Sequence, residues 1–147
     1  FHAAVGATPR FVTFYEPDGH LTNGSLLPAF ARGFSTRITE RPTLMVAGSA
    51  LAELVRPGAR VLVKIDAEGS EPAVLEGLAP LIRTHGADVL IEVLPDYQAA
   101  IDSVIAQFLP GTARHVLHVH DVGAAVASGH QRDWLLRTPA DRNQLPA

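Results

Sequence analysis

The clearest pattern in the chain is an apolar run that ends abruptly in acid. Val61, Leu62, Val63 and Ile65 form a short stretch rich in β-branched residues, which predicts a strand covered on both faces, as in a parallel sheet. Asp66-Ala-Glu-Gly69 closes it, and Gly69 gives the backbone freedom for a sharp turn. Ser70 or Glu71 is placed to cap a helix whose first turn holds Pro72, where no amide hydrogen is missed. Val74, Leu75, Leu78, Leu81 and Ile82 then recur at helical spacing and give that helix, over 71–84, one apolar face. His85-Gly86 stops it, and a second apolar run over 88–94 predicts the next strand. Such a βαβ unit implies parallel strands and a right-handed crossover. Asp66, Glu68 and Glu71 therefore gather at a strand's carboxyl end, the edge where open α/β sheets bind ligands.

The flanking segments extend this α/β pattern. Residues 1–6 read as the tail of a strand, 11–15 as a strand with aromatic and β-branched content, and Glu16-Pro-Asp-Gly19 as a turn. Residues 20–36, broken by Gly24, Pro28 and Gly33, read as a loop or loose hairpin arm, which either covers a substrate or packs Leu26, Leu27 and Phe30 as an ordinary surface loop. A strand over 36–46, with Pro42 marking an edge or a start, and a short helix over 49–55 complete the first part. Downstream, Tyr97, Ile101, Val104, Ile105 and Phe108 make the apolar face of a helix over 96–109. Strands over 115–120 and 133–137, joined by a Gly-rich polar connection, are expected to pair antiparallel at the sheet edge. A polar tail, 139–147, follows.

Composition narrows the class. With 147 residues, 47% of them hydrophobic and 18% charged, the chain fits one soluble domain with a sizeable core. A net charge of −3 with 12 scattered basic residues lacks the clustered positive face that nucleic-acid binding requires. Without cysteine there is neither a disulfide framework nor a thiolate metal site, which is compatible with the cytoplasm. No apolar run reaches the roughly 18 residues of a membrane span, and the N-terminus lacks a signal-peptide layout, so no membrane is expected as a partner.

Three groups of side chains carry candidate chemistry. Asp66 and Glu68 are placed to hold a polar substrate or to act as a general base; alternatively they favour the positive end of the following helix. Glu92, inside Leu90-Ile-Glu-Val-Leu94, needs a partner or a sheet-end position, so it either pairs with Lys64, the chain's single lysine, or serves substrate or cofactor. His115, His118, His120 and Asp121 invite a metal reading, with His130 as a further ligand, against a strand of partly exposed histidines; no metal ligand is assigned. An Asp-x-Glu-Gly turn also suits a divalent cation, though no phosphate-cradling loop accompanies it.

Lys64-Ile-Asp-Ala-Glu-Gly-Ser-Glu71, followed by Leu90-Ile-Glu-Val93, resembles the signature of the FkbM-type methyltransferases, which use S-adenosylmethionine. Ala3-Ala-Val-Gly6, Phe11-Val-Thr-Phe-Tyr15, Asn23-Gly-Ser-Leu26 and Pro42-Thr-Leu44 resemble that family's middle segment in the same order. The resemblance implies a Rossmann-like sheet seen in part, because residues 1–60 contain no Asp-x-Gly-Ala-x-x-Gly loop; the chain is expected to begin partway through the fold, at Phe1. It implies one partial domain over 1–147, with the middle segment at 1–60, the βαβ core and late strands at 61–138 and the tail at 139–147. It also implies transfer of a methyl group, expected on an oxygen of a small molecule or sugar. Asp66, Glu68 and Glu92 would be catalytic, Ala3, Ala4 and Asp66 would meet the cofactor, and Glu71 and Asn23 would meet the substrate. Two alternatives stay open: a fragment or accessory module that cannot hold the cofactor alone, and a metal-dependent α/β hydrolase. The acceptor and the oligomeric state are left open.

Overall fold

The computed structural model describes residues 2–20, 22–117 and 132–140, and within them the chain is an α/β protein with two mixed sheets. The first sheet has the order β1-β3-β2, from β1 (Ala4–Gly6), β2 (Arg10–Pro17) and β3 (Ile38–Ala47). β3 runs antiparallel to β2, with Phe14 opposite Arg41, and parallel to β1, with Val5 opposite Val46. The second sheet has the order β4-β5-β7-β6, from β4 (Leu62–Ile65), β5 (Asp88–Val93), β6 (Ala113–Leu117) and β7 (Arg132–Arg137). β4 and β5 are parallel, as the βαβ pattern requires, and β7 is antiparallel to both of its neighbours.

The expectation of a single sheet is corrected at this point: no ladder joins the two sheets among the described residues, and helix α2 (Glu71–His85) connects them instead. A Cβ on Gly77 of α2 would fall within contact of the Gly6 carbonyl and lie 2.9 Å from the Ala7 nitrogen. A Cβ on Gly48 would in turn lie 2.5 Å from the Gly77 oxygen. Backbone therefore packs on backbone here, an approach only glycine permits. The core is shared by Ile65, Leu75, Leu78, Ile82, Val89, Ile91, Ile101, Trp134 and Leu136, all at most 5% exposed. Its other wall is α3 (Gln98–Phe108), which buries Ile101 fully and packs Val104, Ile105 and Phe108 against the cluster as the periodicity predicts.

Several expectations change in detail. β4 is not covered on both faces: Leu62, on one face, stands 69% exposed, while Ile65, on the other, is buried in the core. An unbroken apolar run hides this alternation. The late strands pair antiparallel at the sheet edge as expected, with β7 next to β5, which buries Trp134 and Leu136, and β6 outermost. Residues 20–36 contain a short helix, α1 (Pro28–Arg32), started by Pro28 at a position where its missing amide costs nothing. The helix expected over 49–55 is 3-10, Gly48–Leu54, and a 3-10 turn, Pro95–Tyr97, precedes α3. At Gly86 the predicted stop holds, in a left-handed conformation with φ 58°. Among the described residues no helix is long and apolar enough to cross a membrane.

Candidate functional site

The acidic turn after β4 opens onto a cleft of about 590 Å³ lined by residues of both sheets. Its wall takes Ala3, Ala4 and Val5 from around β1, Phe14 from β2 and Thr43 from β3. Thr22, Gly24, Ser25 and Leu26 come from the arm before α1, and Asp66, Ala67, Glu68 and Ser70 from the turn. Val74 and Glu92 complete it from α2 and β5. The size lies in the range of small-molecule sites. Five predicted residues, Ala3, Ala4, Asp66, Glu68 and Glu92, thus converge on one cavity from three distant parts of the chain.

Parallel pairing of β4 with β5 explains how Asp66 and Glu92 meet. Ile65 opposes Ile91, so the next residue of each strand reaches the same carboxyl end. The expected Lys64–Glu92 pair is replaced: Lys64 stands opposite Leu90, and its Nζ donates to Asp66 Oδ2 at 2.6 Å, two residues along its own strand. That bond holds the Asp66 carboxyl below the usual carboxylate range and raises the Lys64 ammonium. Glu92 moves the other way. Burial, a hydrogen bond to Asp66 and the nearby charges of Asp66, Glu68 and Asp133 push it up to about 7. The two neighbouring carboxyl groups are thus pushed apart, Asp66 the more acidic member and Glu92 the one that holds a proton up to near neutrality.

Glu68 adopts φ 50°, the one described non-glycine residue with positive φ. Its carboxylate accepts from Asn23 Nδ2 at 3.2 Å and its backbone carbonyl from Ser25 Oγ at 2.7 Å. Burial and the charges of Asp66 and Glu71 raise its pKa. Asn23, expected to meet substrate, lies beside the cavity lining and donates to Glu68.

Glu71 sits apart from these groups. It is 1% exposed and does not line the cleft; its carboxylate accepts from the amides of Ala67 at 2.8 Å and Gly69 at 3.0 Å. The structure thus places Glu71 in internal bonds rather than on the cleft wall, and Ser70, one of the two candidate caps, makes no side-chain cap bond. Ser25 went unread in the sequence, although Asn23-Gly-Ser-Leu26 carries it; its role depends on a contact across 43 positions, which no local pattern signals.

Of the histidine strand, His115 lies on β6 and is exposed, and His118, His120, Asp121 and His130 lie outside the described residues. No three described histidine or acidic side chains are grouped to hold a metal. No family model matches the chain, and no curated protein or solved structure matches it.

Proposed function

We propose that this chain is the substrate-side part of an S-adenosylmethionine-dependent methyltransferase with a Rossmann-like sheet, acting on a hydroxyl of a small molecule or sugar. The observation that carries the reading is the Asp66–Glu92 pair, two carboxyl groups at the ends of adjacent parallel strands that both line a 590 Å³ cleft. The residues present suit the cofactor. Ala3 and Ala4 project little into the cleft and leave room for a flat base, while the carboxyl groups of Asp66, Glu68 and Glu92 favour a positively charged ligand. The bound cofactor would supply an electrophilic methyl on a sulfonium.

The chain's own residues would then align the acceptor and handle one proton. Asp66 stays ionised and fixes the orientation of Glu92. Above about pH 7 Glu92 is ionised as well and would be placed to take the acceptor's proton. Glu68 and Asn23 line or brace the acceptor side. Most of the rate enhancement would come from alignment.

Calorimetric titration with S-adenosylmethionine and with the demethylated product tests this, with Asp66→Asn as the control. Micromolar binding that weakens about tenfold in the control is expected. A well-folded chain that binds neither compound would overturn the reading of the cleft as a self-sufficient cofactor site and favour the accessory-module alternative.

A further inference from the structure

Resting on the reading of this cleft as a methyl-donor site, we infer that Ser25 is a positioning residue: it holds the backbone of Glu68 in the left-handed conformation that keeps the Glu68 carboxylate on the cleft wall. Ser25 is 1% exposed, and each of its polar groups is used. Its Oγ donates to the Glu68 carbonyl at 2.7 Å and accepts from the Leu27 amide at 3.0 Å. Its backbone is tied to β2 by two bonds, Tyr15 amide to Ser25 carbonyl at 2.8 Å and Ser25 amide to Tyr15 carbonyl at 3.0 Å. The hydroxyl is thereby anchored at both ends of a short path, from β2 through Ser25 to the acidic turn.

Glu68 needs such an anchor. A side chain with φ 50° is disfavoured in an unconstrained turn and persists only where the surroundings over-determine it. From below, Glu71 fixes the amides of Ala67 and Gly69, on either side of Glu68. From above, Ser25 fixes the carbonyl of Glu68 itself. The same arm supplies Thr22, Gly24 and Leu26 to the cleft wall, so a ligand that displaces the arm also displaces Glu68. Asn23, one turn of the arm away, acts on the carboxylate rather than the backbone.

That division of labour gives variants with opposite signatures. In the 147-residue chain, the Glu68 carboxyl is followed by carbon-13 NMR titration in the native protein, Ser25→Ala, Ser25→Cys and Asn23→Ala. Freeing the backbone lets water reach Glu68, so both Ser25 variants are expected to lower its titration point towards that of an ordinary glutamate. Asn23→Ala removes a donor to the ionised form and is expected to raise it. Ser25 variants that leave Glu68 unmoved, or move it as Asn23→Ala does, would overturn the proposal, and so would failure of both to fold, which would make Ser25 a purely structural residue.

Affinity for S-adenosylmethionine gives a second arm. Ser25→Ala is expected to weaken binding about tenfold in the native background and to have no further effect when Glu68 is already Gln. Equal losses in both backgrounds would also overturn the proposal. A native chain that binds no methyl donor but shows the expected titrations would remove the functional reading and leave Ser25 as the residue that positions Glu68.

Discussion

Glu71→Ala provides the sharpest test of how the acidic turn is built. The native carboxylate is 1% exposed and receives the amide of Ala67 at 2.8 Å and that of Gly69 at 3.0 Å. Alanine removes both acceptors and leaves no neighbouring group to replace them, and an amide left unpaired in a buried setting costs about 1–3 kcal/mol. The turn borders the cleft, so water relieves part of that penalty, and a net loss of about 3 kcal/mol is expected for the two amides together. At this chain length that corresponds to a fall of about 6–12 °C in Tm. Glu71→Gln keeps one acceptor oxygen and loses the negative charge at the start of α2, and should cost about 1 kcal/mol. Urea unfolding followed by tryptophan fluorescence of Trp134 reads both, with a lowered midpoint at unchanged slope. Glu71→Ala within about 0.5 kcal/mol of the native protein would refute the claim that the turn hangs from this carboxylate.

Other expected outcomes follow from the same contacts. Glu92 has a folded-state pKa raised to about 7, so its contribution favours the folded chain fully below the ordinary glutamate value and is lost as pH rises through about 7. Allowing for solvent screening, unfolding between pH 5 and 8.5 should show a loss of about 1–2 kcal/mol that Glu92→Gln abolishes; a slope that survives the substitution would assign it elsewhere. Asp66 has the opposite sign, its lowered pKa giving stability above the ordinary aspartate value that is lost as pH falls through the depressed one, and Lys64→Met should shift that acid transition to higher pH in the same experiment. Gly77→Ala improves helix propensity by about 1 kcal/mol but drives a methyl into the Gly6 carbonyl, and should destabilise by a net 1–3 kcal/mol in thermal unfolding; a stabilised variant would show that β1 does not rest on α2 as described.

The parts of the site that were legible in the sequence are those set by local geometry. An apolar run halted by Asp66, a glycine at 69 and a proline at 72 fix a strand, a turn and a helix start in that order, and the site follows from the strand end. Glu92 was legible for the same reason, as a carboxyl out of place in a buried strand. The misread features depend on which neighbours arrive. Val61-Leu-Val63 looks alike whether a strand is covered on two faces or one, and Leu62 is exposed because nothing described covers that side. The antiparallel edge pair of late strands was legible, and which of the two lies next to β5 was left open; that is decided by where Trp134 and Leu136 find burial, a nonlocal question. The inward direction of Glu71 was unreadable because it goes with a tight turn in which Glu68 takes a positive φ, a conformation that no residue type there announces.

Four carboxyl groups near one turn and strand end would repel if all were ionised and similarly exposed, so their arrangement has to disperse charge before it can do chemistry. Each of the four is handled differently. Glu71 is withdrawn from the cleft and accepts from backbone amides, which fixes the turn from inside. Asp66 is held by Lys64 and remains the anion of the pair. Glu92 retains a proton to near neutrality, and Glu68 is offset by Asn23 and by the displacement that its left-handed backbone produces. The result is a cleft with one ionised carboxylate at its base, one carboxyl that exchanges its proton near pH 7, and a third on a wall shared with a separate arm. An acid cluster built only to cap a helix would need none of that separation; a Glu71-type contact alone would serve. The division among the four carboxyl groups is therefore the strongest physical reason to treat the turn as a site rather than as a helix start.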